Sequence, residues 1–396
     1  MTEAAKHGYS AGHPEWANLG QGAPETGNLP DAPERITSIS FDTNELEYAP
    51  IDGIKELREA VANLYNERYR KNFKSKYTKE NVAISAGGRA GITRLVSTIG
   101  RTNVGHFLPD YTAYEELLDT FGTFVPIPVL LGPEEGYEFS KEALRREILG
   151  RGLSAILLSN PCNPTGRLIA GEELTTWVSQ ARELSCAILF DEFYSHYTYG
   201  QHKAPVSAAA YVEDVDSDPI VIIDGLTKNW RYPGFRVSWT VGPRSIIEAI
   251  GSAGSFLDGG CARPMQKAAL TVVTPEIADR EASAIRNAFS TKRERMLKAL
   301  SELNITVNPA PEGGFYCWGN LKALPEGLNT GMDFFRKALE AKVIVVPGQF
   351  FDIDPGHRRP GRPSRFTHYA RFSFGPSLDE VERGLSSLKK LIQSHK

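Results

Sequence analysis

The sequence predicts an α/β protein with a large domain, built on a mostly parallel sheet flanked by helices, and a smaller α+β domain. Short apolar, β-branched runs alternate with segments of helical periodicity through most of the chain. This alternation is typical of parallel sheets that are covered on both faces. The chain has 396 residues, more than a single core usually holds. We therefore expect two domains in one compact unit.

The N-terminal segment is rich in Gly, Pro and Asn and has little periodicity. It predicts an extended arm over residues 1–45 that joins the small domain. A turn at Tyr48–Gly53 follows, and then a helix over 54–69, where apolar side chains recur at helical spacing.

The large domain is predicted to span residues 46–295. Apolar runs predict its strands at 81–85, 104–108, 124–129, 155–159, 187–190 and 219–223. Helices are predicted between the strands, from the glycine turn after residue 85 to residue 99 and at 111–121, 141–149 and 171–184. Long helical patterns follow at 244–255 and 264–303.

The small domain is predicted to span residues 296–396, where the alternation of strands and helices stops. Two strands are expected at 315–321 and 369–374, with helices at 332–341 and 378–393. This mixture gives the domain its α+β character.

The composition is that of an ordinary globular protein, with 41% hydrophobic and 23% charged residues. A formal net charge of −3 favours neither nucleic acid nor a membrane as a partner. The polar N-terminus has no signal core, and no run of about 18 apolar residues occurs. The cysteines show no CxxC or metal-ligand spacing, so we expect no metal and reduced thiols in a cytoplasmic protein. They are Cys162, Cys186, Cys261 and Cys317.

Lys228 follows the strand at 219–223, at the edge where α/β folds place their chemistry. It lies among aromatic residues and between Arg231 and Arg236. Burial and neighbouring positive charges lower the pKa of an amine, and a neutral lysine can form a Schiff base with a carbonyl. A lone lysine is more often a surface residue, so this interpretation depends on other motifs.

A glycine turn, Gly87-Gly88-Arg89, stands between a predicted strand and a predicted helix. Backbone N–H groups and the helix dipole favour a phosphate there, although many glycine turns are only structural. The turn does not fit G-x-G-x-x-G, and no acidic residue completes a dinucleotide unit. A nicotinamide cofactor is therefore disfavoured.

Other polar and aromatic residues also follow strand ends. Asp191 could pair with a protonated ring nitrogen, with Tyr194 in reach of the same ligand. The Asn163 amide could bind a ring hydroxyl, and Tyr111 could stack on a planar ligand. Each also has an ordinary alternative as a helix cap, a turn former or a core aromatic.

Taken together, these motifs resemble the fold type I pyridoxal-phosphate enzymes, specifically the class I/II aminotransferase family, from about Leu19 to the C-terminus. The resemblance implies a seven-stranded sheet in the large domain, a pyridoxal 5'-phosphate cofactor, and exchange of an amino group between an L-amino acid and a 2-oxo acid. The matching motifs are Tyr48-x-x-x-x-Gly53, Gly87-Gly88, Pro109-x-Tyr111, Asn160-Pro-x-Asn-Pro-Thr-Gly166, Asp191-x-x-Tyr194, Thr227-Lys228 with Arg236, and Arg371-x-Ser-Phe.

The resemblance implies a role for each residue. Lys228 would form the Schiff base and move the substrate proton, and Asp191 would keep the ring nitrogen protonated. Asn163 and Tyr194 would bind the ring hydroxyl oxygen, and Tyr111 would stack on the ring. The phosphate would be bound by Gly88, Arg89, Thr227 and Arg236.

The resemblance also implies a homodimer with shared active sites, because Tyr48 corresponds to a residue that reaches the phosphate of the neighbouring subunit. Arg371 would clamp the substrate α-carboxylate, which a planar fork of donors suits better than a lysine. Gly22 and Asn163 would complete this substrate site.

Three features depart from the family pattern or add to it. Gly225 stands where many members have a phosphate-binding serine, and Arg89 where a small or polar residue is common. Residues 352–368 form a long basic run before Arg371, which is either a solvated loop or a lid over the substrate entrance.

The specificity for the substrate side chain is least determined. Asp258 aligns near an arginine that members specific for dicarboxylic amino acids supply from the neighbouring subunit. A carboxylate there could attract a basic side chain, with Glu25 as an addition, although Asp258 could equally be a loop or cap residue.

Two competing functions stay open at this point. The same residues serve other pyridoxal-phosphate reactions, such as an oxygen-using oxidase or hydroxylase of an arginine-like amino acid. A ligand sensor fused to a DNA-binding module is the other, although the residues before Tyr48 show no helix-turn-helix pattern or basic patch.

Overall fold

The computed structural model describes residues 2–40 and 42–395; Met1, Phe41 and Lys396, which fall in the predicted arm and small domain, lie outside the described residues. The helices are α1 (Thr2–Lys6), α2 (Lys55–Tyr69), α3 (Gly88–Ser97), α4 (Tyr114–Asp119), α5 (Lys141–Arg151), α6 (Gly171–Leu184), α7 (Arg244–Leu257), α8 (Arg263–Leu270), α9 (Pro275–Glu302), α10 (Gly331–Glu340) and α11 (Leu378–Gln393). The strands are β1 (Ala17–Asn18), β2 (Val82–Ser85), β3 (Asn103–Leu108), β4 (Val125–Leu130), β5 (Leu153–Ser159), β6 (Ala187–Asp191), β7 (Ile220–Gly225), β8 (Ser238–Val241), β9 (Thr306–Val307), β10 (Tyr316–Asn320), β11 (Val343–Ile344), β12 (Val346–Pro347) and β13 (Tyr369–Ser373).

A seven-stranded sheet in the order β2-β8-β7-β6-β5-β3-β4 forms the centre of the molecule. Its neighbouring strands are parallel, except that β8 runs antiparallel to both β2 and β7. Successive side chains of a strand point to opposite faces: Ile222 packs in one apolar cluster and Ile223 in another. The sheet is therefore buried on both faces, which confirms the predicted fold class.

Strand β8 was not predicted from the sequence. Its four residues lie in the segment after Lys228, where neither a strand nor a helix was expected. Ser238 of this strand pairs with Ser85 of β2. The pairing returns the chain to the glycine turn that follows β2, and so brings Arg236 beside that turn.

The second part of the molecule contains a four-stranded antiparallel sheet in the order β12-β13-β10-β9. The arm joins this part: β1 pairs in parallel with β11, and Leu19 and Leu29 are buried in the same apolar cluster as the inner faces of α10 and α11. Within the described chain, no helix has the length and apolar content that crossing a membrane requires.

Helix α9 connects the two parts. Its Ala278 packs in the core of the large sheet, whereas Ile285 and Met296 pack in the core of the small one. The predicted domain boundary at residue 295 therefore falls inside a continuous helix of 28 residues.

The single helical pattern predicted over 264–303 was wrong in one respect, because it contains two helices. The chain breaks after α8, and Thr274 begins α9 as an N-cap whose hydroxyl accepts a hydrogen bond from the Ile277 N–H. Pro275 occupies the first turn, where its missing N–H costs nothing. Apolar periodicity continues across the break and conceals it.

Candidate active site

The residues predicted to bind the cofactor, except Tyr48, lie at or after the carboxyl ends of β2, β3, β5, β6 and β7. These ends share one edge of the sheet because the five strands run in the same direction, and ligands of α/β sheets bind at such an edge. The last strand residue is itself part of the site in two cases, Ser159 of β5 and Asp191 of β6.

A cavity of about 410 Å³ occupies this edge, and every residue predicted to bind the cofactor lines it except Tyr48. Four lining residues were missed: Ile92, Ser159, Phe193 and Pro233. Ser159 and Phe193 adjoin predicted residues, so their positions at strand ends could have indicated them. Ile92 and Pro233 carry no chemical signal. The predicted residues that line the cavity are Gly88, Arg89, Tyr111, Asn163, Asp191, Tyr194, Thr227, Lys228 and Arg236.

Lys228 presents its amine to this cavity. Burial, and then the positive charges of Arg371 and Arg236, lower the pKa of Lys228 to about 8. The amine donates a hydrogen bond to the carbonyl oxygen of Gly22, which places the arm beside the reactive nitrogen. A substantial fraction of the amine is neutral near physiological pH, as a nucleophile requires.

Asp191 lies buried at the same wall of the cavity. Its Oδ2 accepts a hydrogen bond from the Tyr114 hydroxyl at 2.8 Å, and its Oδ1 accepts one from the Phe193 N–H at 3.3 Å. Burial raises the pKa of Asp191 to about 6, against the effect of these donors and of Lys228. The carboxyl group is thus an anion at neutral pH, suited to a protonated ring nitrogen.

The glycine turn, the start of α3 and the β7–β8 connection meet at one end of the cavity and form a candidate phosphate site, which we call the phosphate cradle. Gly87 has a φ of 89°, and the space that its side chain would fill contains the Arg236 guanidinium. A Cβ atom on Gly88 would lie 2.6 Å from the Phe193 ring. The glycines therefore allow an arginine and the N–H groups of a helix N-terminus to meet at one point.

The two departures in this cradle have different structural outcomes. A Cβ atom at Gly225 would lie 2.5 Å from the Ser238 Cα and 2.7 Å from the Val237 carbonyl oxygen, so strand β8 leaves no room for the usual serine. Arg89 is exposed and lines the cavity, where its guanidinium lies 3.4 Å from the Tyr111 hydroxyl. The chain thus lacks the serine hydroxyl at position 225 and has the positive charge of Arg89 in addition.

Arg371 on β13 is not among the residues that line the cavity, but it contacts Asn163, which lines it. Its guanidinium donates to the Asn163 amide oxygen at 2.8 Å and to the Gly20 carbonyl oxygen at 2.7 Å. The Tyr316 ring supports it, with the guanidinium carbon 4.1 Å from the ring centroid. Because the Asn163 carbonyl oxygen accepts from Arg371, it is the amide N–H groups of Asn163 that can donate to a ligand in the cavity.

Tyr194 contributes a hydroxyl group that lies 2.9 Å from the Tyr316 hydroxyl. Its ring packs edge-on against Tyr316 and Phe315. The small-domain strand β10 therefore helps to hold Tyr194 in the wall of the cavity.

Two buried polar atoms indicate that the residues fit pyridoxal 5'-phosphate and a carboxylate substrate. Thr227 Oγ1 and Arg371 Nε are both inaccessible and have no hydrogen-bond partner among the described residues. An unpaired buried polar group is costly. A phosphate oxygen would satisfy the first atom and a carboxylate oxygen the second.

Tyr48 and Gly22 occupy different positions. The Tyr48 side chain is 94% exposed and does not line the cavity of its own subunit. The carbonyl oxygen of Gly22 accepts the hydrogen bond from Lys228. A Cβ atom at Gly22 would lie 3.4 Å from the Tyr316 hydroxyl oxygen.

The acidic residues expected to select a basic substrate are already paired. Asp258 accepts hydrogen bonds from Nε and Nη2 of Arg94, the first at 2.8 Å, and the Arg94 side chain is fully buried. Glu25 pairs with the Lys292 amine. Because neither carboxylate is free, the structure gives no support to recognition of a basic side chain by these two residues.

The basic run at 352–368 is anchored at its two ends, while most of residues 356–365 are exposed, as expected for a solvated loop. Arg359 pairs with Asp352 at 2.6 Å and with Asp354 at 3.2 Å, while Ile353 and Phe366 are buried in the core. None of its residues lines the described cavity. The segment is therefore a loop anchored on β4 and α4. The Asp354 N–H donates to the Glu115 carboxylate on α4, and Arg358 reaches the Pro126 carbonyl oxygen on β4.

The amino-acid sequence matches a family model, aminotransferase class I and II, over residues 14–388. It is 26% identical over 400 residues to the aspartate aminotransferase of Bacillus subtilis, covering 100% of this chain and 95% of the relative. It is 27% identical over 370 residues to the aspartate/prephenate aminotransferase of Thermus thermophilus, covering 91% and 88%.

The fold is also found in solved structures. The N-succinyldiaminopimelate aminotransferase of Mycobacterium tuberculosis superposes with a TM-score of 0.80 at 22% identity, over 98% of this chain and 95% of that one. The fold and the family model agree with the resemblance seen in the motifs. The chain belongs to the class I and II aminotransferase family and is a pyridoxal-phosphate-dependent aminotransferase.

Proposed function

We propose that Lys228, Asp191 and Tyr194 are the catalytic residues of this aminotransferase and that Lys228 is the residue that binds the cofactor covalently. The observation that carries this proposal is the half-buried Lys228 amine, with a pKa of about 8, in the same cavity as Asp191 and the glycine turn. A neutral amine is needed both for attachment and for proton transfer.

Pyridoxal 5'-phosphate, when bound, supplies a carbonyl for amines and a ring that accepts electrons from the substrate Cα. Asp191 accepts the hydrogen bond of the protonated ring nitrogen, and Tyr111 covers one face of the ring. The Asn163 amide and the Tyr194 hydroxyl donate to the ring oxygen. The substrate amine would take the place of Lys228 on the cofactor, and the Lys228 amine released in this way would accept the proton from the substrate Cα and hold it for return.

The phosphate group is bound by charge and by hydrogen-bond donors together. The N-terminus of α3 presents the N–H group of Gly88, and the Thr227 hydroxyl is the unpaired buried donor beside Lys228. Arg236 supplies the permanent positive charge. Arg89 adds a second charge at the rim of the cavity, where Gly225 leaves out the usual serine.

Arg371 binds the substrate α-carboxylate. Its guanidinium is fixed by Asn163, Gly20 and the Tyr316 ring, which leaves the buried Nε free for a carboxylate oxygen. The clamp fixes the Cα–H bond near Lys228, and such fixed orientation lowers the barrier to proton removal. Gly22 forms the adjoining wall.

We further propose that the amino donors have acidic side chains. The relatives quoted above are named for aspartate and prephenate, both of which carry an additional carboxylate. Here Asp258 and Glu25 are neutralised by Arg94 and Lys292, whereas Arg89 is exposed in the cavity. The electrostatics of the site thus favour an acidic side chain over a basic one.

We propose a homodimer in which Tyr48 contributes to the phosphate site of the partner subunit. Leu46 is 69%, Tyr48 is 94% and Phe256 is 75% exposed. Scattered exposed apolar side chains are common on protein surfaces, so the proposal is carried by the resemblance of the Tyr48 motif, and the exposure of Tyr48 leaves it accessible to a partner. All four cysteines are free thiols, which supports a cytoplasmic location.

The test is a half-reaction screen of the purified holoenzyme with single amino acids. Each active site should release one equivalent of a 2-oxo acid from aspartate or glutamate and then stop until a second 2-oxo acid is added. Lys228→Ala should abolish this release. Continuous oxygen uptake without an added 2-oxo acid would contradict transamination, and a preference for arginine or lysine would contradict the proposed substrate class.

A further inference from the structure

Tyr114 is a buried side chain that neither the motifs nor the proposed catalytic set includes. It begins α4, three residues after Tyr111, and is 1% exposed. Its hydroxyl lies 2.8 Å from Asp191 Oδ2. Its ring packs edge-on against Tyr111, with centroids 5.4 Å apart and an interplanar angle of 80°. One loop thus supplies the ring that covers the cofactor site and a donor to the carboxylate within it.

A buried carboxylate depends on its donors to remain an anion in a fixed orientation. Asp191 has two donors among the described residues, the Tyr114 hydroxyl and the Phe193 N–H, and the first is the shorter by 0.5 Å, from 2.8 against 3.3 Å. Burial and the Asp191 charge raise the pKa of Tyr114 well above its ordinary value. The phenol therefore keeps its proton and remains a donor.

The other ionisable groups near Asp191 act on its charge in opposite directions. Lys228, on the loop after β7, favours the anion. Asp110, which follows β3, and Glu192, the next residue after Asp191, each interact unfavourably with it when ionised. Tyr316 on β10 faces the same region. Burial raises the pKa of both Asp110 and Glu192 to about 8, so these acids are largely neutral at pH 7, and the charge of Asp191 depends on Tyr114, the Phe193 N–H and Lys228.

We propose that Tyr114 is a positioning residue for the reaction: its hydroxyl orients Asp191 and keeps it ionised for the protonated nitrogen of the cofactor ring. The inference rests on the proposed role of Asp191. It extends that role by naming the group through which the fold maintains it.

Loss of the Tyr114 hydroxyl should raise the pKa of Asp191. At the lower end of its usual strength, a hydrogen bond to an ionised group shifts a pKa by about one unit, so its removal would raise the pKa of Asp191 by at least about that much. Asp191 is an anion above this pKa and a neutral acid below it. As the pH is lowered, a variant without the Tyr114 hydroxyl should therefore lose affinity for the cofactor about one pH unit earlier than the parent protein does.

The experiment measures pyridoxal phosphate affinity, from the visible absorption of the bound cofactor, for the apoprotein and Tyr114→Phe between about pH 5 and 9. Tyr199→Phe is the matched control, because its buried hydroxyl donates to the Gly314 carbonyl oxygen outside the described cavity. The parent and the control should lose affinity as pH falls through about 6. Tyr114→Phe should lose it near pH 7, where half of Asp191 would be protonated, and its kcat at neutral pH should fall about 2-fold with little change in the KM for the amino acid.

Two further variants separate the possible outcomes. Tyr114→His keeps an N–H donor, so its affinity should fall at the same low pH as that of the parent protein. We call this fall of affinity at low pH the acid limb. Tyr114→His can replace Tyr114→Phe if the latter is unstable. Asp191→Asn should remove the acid limb, and adding Tyr114→Phe to it should have little further effect. An unshifted acid limb in Tyr114→Phe, with Asp191→Asn impaired, would overturn the inference alone. Full affinity and turnover in Asp191→Asn would instead overturn the proposed function.

Discussion

The guanidinium group of Arg236 occupies the space where residue 87 would carry a Cβ atom, so only glycine admits it. The φ of 89° at Gly87 independently favours glycine. Strand β8 creates this relationship, because its pairing with β2 brings position 236 back to the turn that follows position 85. The phosphate cradle therefore depends on a strand that contributes no side chain to the cradle itself.

Gly87→Ala should displace Arg236 and weaken cofactor binding. Loss of one charge-assisted hydrogen bond costs about 1.5–3 kcal/mol, which corresponds to about 10- to 100-fold in the dissociation constant of pyridoxal phosphate. Titration of the apoprotein measures it. Gly200→Ala is the control, because Gly200 also has a left-handed φ, of 66°, but open space around it. Equal losses in the two variants would show that backbone strain alone is responsible.

Cofactor capture by the apoprotein should depend on pH through Lys228. The amine reacts when neutral, and its pKa is lowered to about 8. The rate of capture should therefore rise with pH and level off above about pH 8. Arg371→Gln removes a positive charge and should move this midpoint upward. A rate in the parent protein that continues to rise to about pH 10, where ordinary lysines titrate, would contradict the proposed environment of Lys228.

Asp258→Ala should reduce stability and leave substrate preference unchanged. Removal of one partner from a buried ion pair costs about 3 kcal/mol, because the Arg94 side chain is fully buried and would lose its charged partner. Urea unfolding measures this change. The control is Glu382→Ala, which breaks an exposed pair with Arg295 and should cost less than about 1 kcal/mol.

One outcome for the Asp258→Ala variant would instead support a substrate-binding role for Asp258. The Asp258→Ala variant would then keep its unfolding midpoint and lose activity toward basic amino acids relative to acidic ones.

Mixed dimers should show whether the subunits share active sites. Tyr48→Ala and Lys228→Ala homodimers should each have little activity. A mixed dimer has one site with both changes and one with neither, so equal mixing after subunit exchange should recover about a quarter of the parent activity. Mixing Asp191→Asn with Lys228→Ala is the control: both residues lie in the cavity of one subunit, so no site is restored. The absence of recovery in the first mixture would place Tyr48 outside the partner's site.

The cofactor-binding motifs could be identified from the sequence because each follows a strand end. Strands β2, β3, β5, β6 and β7 are parallel, so their carboxyl ends must meet at one edge of the sheet. Order and spacing along the chain were then sufficient to bring residues as distant as Gly88 and Lys228 into one cavity. The roles of these residues remain predictions.

Residues whose importance comes from packing could not be predicted in this way. Tyr114 looks like any apolar helix residue until its hydroxyl is seen beside Asp191. Strand β8 was missed because a four-residue run has little periodicity of its own, and the pairing with β2 and β7 gives it structure. Both depend on contacts that local sequence patterns do not encode.

The sequence by itself determined the fold class, because alternating strands and helices are a local property, and the resemblance of its motifs to a known family indicated the cofactor and the residues proposed to bind it. The tertiary structure decided which charges are free. Asp258 and Glu25 are carboxylates in the sequence, but Arg94 and Lys292 neutralise them from 164 and 267 positions away. Whether a charged group is available for a substrate depends on distance and burial in three dimensions, and these follow only when the chain is folded.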